Sequence, residues 1–471
     1  MCIGCSPLAN LVAGADPASR RGLVMRGAGA FALGAGALGG RFRCAAAQAT
    51  RDPSGAADAI YLGGPVITMD DRRPEAEAVA VGSGRILAVG ARAEVEARRG
   101  PGTRVVDLGG RTLLPGFFDA HGHAVLVGLQ SLSANLLPPP DGEGRDIAAL
   151  QRLLRDWAGR NARTTERYGF IVGFGYDDSQ LREGRHPTRD DLDRVSAELP
   201  VIVIHQSGHL GAANSRALEA AGVSAATDDP TGGVFRRREG GREPDGVLEE
   251  HAFFHVLGAS TRRFDGDANL AMIRAGTEFY ARFGYTTCQE ARAFGDAIPR
   301  MREAADRGVL PIDLLAYPDI VAAAEHIKAP ALSRDYRDRF RIGGAKLTID
   351  GSPQGKTAWL TRPYHVPPPG QRAAYVGYPA LPSDRAFAAV EQAFAEGWQL
   401  LCHCNGDAAA DLYIAAVLEA TRRHGPAQGR RPVLIHGDVL PLVPSGGSLG
   451  PSGSDGRCGR PGSLSGRSSG S

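Results

Sequence analysis

The sequence predicts a parallel α/β barrel preceded by a small β-sandwich. Three observations lead there. From Asn269 onward, apolar runs of strand length alternate with amphipathic stretches of helical length. Polar side chains able to bind metal or carry protons stand at the ends of those runs: Glu290, Lys346, His403 and His436, with His121 and His123 at the end of an earlier one. Ahead of that earlier run, residues 59–112 break into brief apolar segments separated by glycine and aspartate turns.

The chain has 471 residues, 43% hydrophobic and 23% charged, enough to bury one large barrel core and a smaller one. A net charge of +2 provides no field for nucleic acid or an anionic membrane surface. Of the seven cysteines, Cys2 and Cys5 form a C-x-x-C with no second pair at zinc-ribbon spacing. Cys402 and Cys404 flank His403 on an expected strand, so they face away from it as core thiols.

Residues 1–49 read as an export label. Arg20 and Arg21 precede an Ala/Gly/Leu run to about Gly40, and Ala47-Gln48-Ala49 offers a small-x-small cleavage site. The paired arginines and the glycine-rich apolar run resemble a twin-arginine signal, which implies a periplasmic or secreted protein. The run is too short and too rich in glycine for a stable membrane span. Residues 50–112 are the sandwich part, with turns at Gly63-Gly64, Asp70-Asp71 and Gly82-Ser83-Gly84. The barrel is expected over 113–442, interrupted by an insertion at about 136–266, with a low-complexity tail at 443–471.

The first barrel strand runs from Leu113 through Pro115-Gly116-Phe117-Phe118-Asp119 to His121-Gly122-His123. Side chains two apart on a strand share a face, so the two imidazoles can aim at one point. Within the insertion, Ile147–Ala158 has helical spacing. Gly169–Tyr176 and Leu199–His205 read as strands, and Thr188 caps a short helix to Leu192. Beyond it come strands at Tyr285–Glu290, Leu310–Leu315, Phe340–Leu347, Trp398–His403 and Pro432–His436. Helices at about Asn269–Phe283, Ala297–Arg307, Asp384–Glu396 and Ala408–Arg423 fill the gaps.

The segment Leu113–His123 closely resembles the first barrel strand of the amidohydrolase superfamily of metal-dependent hydrolases. The segments His209-Leu-Gly-Ala-Ala-Asn-Ser215 and Pro244-Asp-Gly-Val-Leu-Glu-Glu250 resemble an insertion in the amidohydrolase family 3 branch, which includes N-substituted formamide deformylases. The resemblance implies a TIM-like (β/α)8 barrel with the insertion over its mouth. It implies that His121 and His123 hold one divalent ion, with zinc expected. Lys346, in Lys346-Leu-Thr-Ile-Asp-Gly-Ser352, bridges to a second ion when carbamylated, and His403 and His436 hold that second ion. A buried ammonium is costly, and a neutral amine can react with carbon dioxide to give the anionic ligand a two-cation site needs. Lys346, His403 and His436 are thus the catalytic candidates, with His209 and Glu290 as substrate contacts.

The implied reaction is attack of metal-activated water on a non-peptide carbon–nitrogen bond of a small molecule, in an amide or an N-acyl or N-formyl group. Deamination or cyclic-amide hydrolysis on the same scaffold is the alternative. The family's strand-eight aspartate, which handles the proton, should follow His436 by two more strand–helix units. After Leu442 the chain is mostly Gly, Ser, Arg and Pro, and Ser454-Asp455 has no apolar run before it. The expectation is a truncated or frameshifted end, a barrel incomplete at its C-terminus, and, as a reading of a different class, a non-catalytic remnant. Oligomeric state is left open.

Overall fold

The computed structural model describes residues 55–439, apart from 231, 261–263, 295–296, 328–334, 369–370, 427–428 and 430. The export label, with Arg20, Arg21 and the 47–49 cleavage site, and the 443–471 tail with Asp455 lie outside the described residues, as do Cys2, Cys5, Cys44 and Cys458.

The chain opens with β1 (Ala59–Ile67), β2 (Glu75–Gly82), β3 (Arg85–Gly90) and β4 (Arg104–Asp107), ordered β3-β2-β1-β4. Ser83 and Gly84 both take positive φ, 52° and 73°, the left-handed pair that a two-residue hairpin turn between β2 and β3 requires. Ile60, Leu62, Ala78 and Ala80 pack one face against Val95 of the short helix Arg92–Glu96. Ile67, Ile86 and Val105 remain exposed. One layer of the expected sandwich is therefore present among the described residues, and no second sheet covers it there.

β5 is only Phe117–Phe118. The expected strand through His123 is not formed: His121 and His123 lie in the loop beyond it, and a helix begins at Ala124. Asp119 causes the break. Its carboxylate accepts the N–H groups of His121 (3.2 Å) and Gln289 (3.1 Å), which turns the backbone out of the ladder. Helix Ala124–Leu132 then crosses helix Gly266–Arg282 at glycines. A Cβ on Gly128 would sit 1.8 Å from the Met272 carbonyl oxygen, and one on Gly276 would sit 1.8 Å from that of Ala124.

The insertion builds its own sheet from β6 (Ala134–Asn135), β7 (Ile171–Tyr176), β8 (Val201–His205), β9 (Leu210–Ala213), β10 (Gly233–Arg237) and β11 (Pro244–Glu250), ordered β10-β11-β9-β8-β7-β6. Every residue of β7, β8 and β9 is buried, which explains their unbroken apolar sequences. Asn214 pins this sheet. Its side chain accepts the N–H groups of Val201 and Ala217 and donates to the carbonyls of Ser196 and Leu199. At the expected Thr188 cap, the Asp191 carboxylate accepts both the N–H and the hydroxyl of Thr188.

β12 (Tyr285–Ala293), β13 (Asp313–Pro318), β14 (Phe340–Ile342), β15 (Ala345–Thr348), β16 (Leu400–Gly406) and β17 (Val433–Val439) are parallel, in two runs ordered β5-β12-β13-β14 and β15-β16-β17. β14 and β15 are one strand interrupted at Gly343-Gly344, where a Cβ on Gly344 would meet the Gln399 carbonyl oxygen at 2.2 Å. A bridge from Asp319 to Lys346 joins the two runs. This is an α/β arrangement of the TIM-like kind. Leu315, Tyr317, Leu401 and Ile435 fill its inner side. Helices Ser383–Ala395 and Asp407–His424 cover the outer side, where Cys402 and Cys404 are buried, facing away from His403 as expected. Among the described residues β5 and β17 do not pair with each other, and Phe117, Phe118, Val433 and Val439 on them are exposed.

Candidate metal centre

The strand ends bring four imidazoles side by side. The rings of His121 and His123 lie 5.1 Å apart, those of His121 and His436 5.5 Å, and those of His403 and His436 4.6 Å. They come from the ends of β5, β16 and β17, so the first and last strands of the arc meet at this cluster.

Each contributor is held by a specific local device. Gly122 is required because a Cβ there would fall 2.1 Å from the Tyr280 hydroxyl and 2.2 Å from an Asp119 carboxylate oxygen. Burial raises the Asp119 carboxyl above the ordinary range, while the N–H groups of Gln289 and His121 and the Tyr280 hydroxyl pull it back. His436 pairs with Cys404 across the ladder, and Cys404 faces the helix layer. Regular alternation would turn His436 outward as well. Its φ of +78°, a left-handed conformation rare for a non-glycine residue, brings the ring to His403 and His121 instead.

Tautomers follow from the neighbours. His123 Nδ1 faces a Glu290 oxygen at 3.3 Å, and the other Glu290 oxygen accepts the Val125 N–H at 2.9 Å. A carboxylate calls for a proton on Nδ1 and leaves the lone pair on Nε2. His403 is turned the other way. Its Nε2 donates to the Gly351 carbonyl at 2.9 Å, leaving the lone pair on Nδ1. Asp350 stands 3.6 Å from the same Nε2 and accepts the backbone N–H groups of Asn405, Gly406 and Trp359. Burial nevertheless pushes its carboxyl up to about 7. Lys346 is fully buried, on the same strand face as Thr348, which is the register partner of His403. Four clustered imidazoles, two of them with lone pairs set by the Glu290 carboxylate and the Gly351 carbonyl, beside a buried lysine, fit a divalent ion.

His209 lies on the insertion, its ring 5.8 Å from that of His403, with Nδ1 3.0 Å from both oxygens of Glu250. Glu290, expected at the substrate, has one oxygen at His123 and the other at Val125. Glu250 was not anticipated as a partner of His209, although both segments stood out in the sequence, because the two residues lie 41 positions apart. Asn405, which donates to the Gly351 carbonyl beside His403, was missed as well.

A second group of donors, Asp177, Asp178 and His205, is close enough to surround an ion. His205 Nδ1 accepts the Ser207 N–H at 3.1 Å, which places that ring's proton on Nε2, 3.2 Å from Asp178 and 3.8 Å from Asp177. The nearby His205 imidazole is the largest of the influences holding Asp177 well below the usual carboxylate range. This group is an imidazole set at ion-pair distance from two carboxylates, with its Nδ1 lone pair already taken by the Ser207 N–H.

A family model described as amidohydrolase family matches residues 104–446. The chain is 29% identical over 391 residues to a putative amidohydrolase, YtcJ, of Bacillus subtilis, covering 81% of this chain and 69% of that protein. It is 32% identical over 260 residues to an N-substituted formamide deformylase of Arthrobacter pascens, covering 55% of this chain and 46% of the relative. The crystal structure of an uncharacterized metal-dependent hydrolase from Pyrococcus horikoshii aligns with a TM-score of 0.58 at 22% identity, over 77% of this chain and 68% of the other.

Proposed function

Because the chain belongs to the amidohydrolase family, we propose that it hydrolyses a non-peptide carbon–nitrogen bond in a small molecule, in an amide or an N-acyl or N-formyl group. The observation that carries this reading is the convergence of His121, His123, His403 and His436 from three strand ends beside fully buried Lys346. A bound divalent ion, for which zinc suits the imidazole set, supplies an activated water and polarises a carbonyl. His121 and His123 would hold one ion and His403 and His436 a second, with Lys346, as its carbamate, available as a further anionic ligand. Glu290 is better assigned to orienting His123 than to touching substrate, since both its oxygens are engaged. The Gly351 carbonyl orients His403 in the same way. His209 is the substrate contact on the insertion side.

The test supplies the purified chain with zinc and bicarbonate and assays release of amine or ammonia from N-formyl, N-acyl and cyclic amides. Metal content is measured alongside, with mass spectrometry of the Lys346 peptide for an added carbon dioxide unit. Zinc-dependent amine release supports the reading. Ammonia release instead favours deamination. Retained zinc with no turnover on any of these compounds would sink the hydrolase assignment. One zinc with unmodified Lys346 removes the two-ion version and leaves a one-ion hydrolase.

A further inference from the structure

We propose that the cavity between the insertion sheet and the chain that follows β15 is an anion site that binds a carboxylate group. The site is separate from the imidazole cluster and stands whether or not the chain is a hydrolase.

The cavity, of about 230 Å³, is lined by Arg185, His186 and His205, by Arg236 of β10 and by Lys356, with Asp178 on the same wall. Its donors outnumber its acceptors, and they are held in place. Buried Glu249 accepts the Arg236 Nε–H at 2.6 Å and anchors the guanidinium. The two terminal nitrogens of Arg236 have no partner among the described residues, and neither is closed off. Lys356 is pinned at φ +56°, a conformation uncommon outside glycine. Its N–H donates to the Pro353 carbonyl at 3.0 Å, and its own carbonyl accepts the Tyr375 hydroxyl at 2.8 Å. Its ammonium meets the Pro367 carbonyl at 3.5 Å and, among the described residues, no carboxylate.

The carboxylates nearby are already engaged. Asp178 stands 3.2 Å from His205 Nε2 and 3.6 Å from His186 Nε2. Asp177, 3.8 Å from His205 Nε2, and Asp191, 2.7 Å from Arg185, lie outside the lining, as does Glu249. Each arginine is thus paired once, and the Lys356 ammonium is the lining cation left without a counter-ion. One such charge beside a guanidinium with two free terminal nitrogens matches a planar, singly charged carboxylate. A phosphate dianion would call for a second unpaired cation.

Gln354 borders both this cavity and a recess of about 20 Å³ at His436, Asn405 and Ser352. The carboxylate therefore belongs either to a free organic acid or to the far end of a molecule that reaches the imidazole cluster.

The test measures binding of three compounds to the full chain without added metal, by calorimetry at low ionic strength. Hexanoate carries the carboxylate alone, N-hexylformamide the amide alone, and 6-formamidohexanoate both. The two carboxylates should bind about tenfold or more tighter than the neutral amide. Arg236→Gln should lower carboxylate affinity about tenfold, but it leaves Glu249 buried without its partner. Lys356→Met strands no carboxylate and should lower the affinity about fivefold or more, with thermal melts confirming that the variant is folded. Tighter binding of 6-formamidohexanoate than of hexanoate assigns the carboxylate to a molecule that reaches the cluster. Equal or weaker binding assigns it to a free acid. Equal affinity for all three compounds, no measurable binding of either carboxylate, or undiminished carboxylate affinity in folded Lys356→Met each overturns the proposal.

Discussion

Replacing Glu290 by glutamine isolates the orientation of His123 from its presence. Glu290 is 2% exposed and divides its oxygens between His123 Nδ1 and the Val125 N–H. Glutamine has one acceptor oxygen for two donors. If that oxygen stays with Val125, the amide N–H₂ faces Nδ1 and forces the ring proton onto Nε2, where the lone pair for the metal belongs. If it turns to His123, the Val125 N–H is left against a donor. Stranding one buried group costs about 1–3 kcal/mol, and losing the charge on the partner of a metal-bound imidazole typically weakens metal binding about 10–100-fold. Both lines converge on a rise in zinc Kd of one to two orders of magnitude, read by competition with a chromophoric chelator. Thermal unfolding of the metal-free protein controls for damage to the fold. A folded Glu290→Gln protein with unchanged zinc affinity would show that the carboxylate does not orient His123.

Three further outcomes are expected. Gly128→Ala should lower stability by about 1–3 kcal/mol in denaturant unfolding, since its methyl group has to displace the Met272 carbonyl. Asn214→Ala should cost about 3 kcal/mol or more, because it strands two N–H groups and two carbonyls between the strands and turns of the insertion; a loss below about 1 kcal/mol contradicts that account. His186, held neutral by burial, has its pKa lowered to about 3. The unfolded chain takes up a proton below about pH 6.5 that the folded protein resists. The stability it contributes is therefore present above pH 6.5 and is lost as pH falls toward 3, and His186→Phe should be less acid-sensitive across that window in pH-dependent melts.

What could be read from the sequence was whatever depends on local pattern. The unbroken apolar runs of β7 and β8, the glycine turn at Ser83-Gly84 and the strands ending at His403 and His436 all announce themselves by residue type. Other features depended on contacts between distant segments. Asp119 ends β5 early because Gln289 and Tyr280 come to it from another strand and helix. His436 faces the cluster through a backbone conformation that no side-chain alternation signals. Glu250 meets His209 only because β9 and β11 are neighbours in an insertion sheet whose order leaves the chain order. The ligand candidates were thus visible as residue types, and the groups that aim them were not.

The separation between His123 and its orienting carboxylate also has a consequence during synthesis. The two residues lie 167 positions apart. At about 5–20 residues per second, a ribosome takes roughly ten to thirty seconds to deliver Glu290 after His123. Throughout that interval the nascent chain displays an unconstrained histidine pair, and bare nitrogen donors rank divalent ions by intrinsic affinity, with copper foremost. Until Glu290 arrives, nothing on the chain fixes which ring nitrogen of His123 carries the proton.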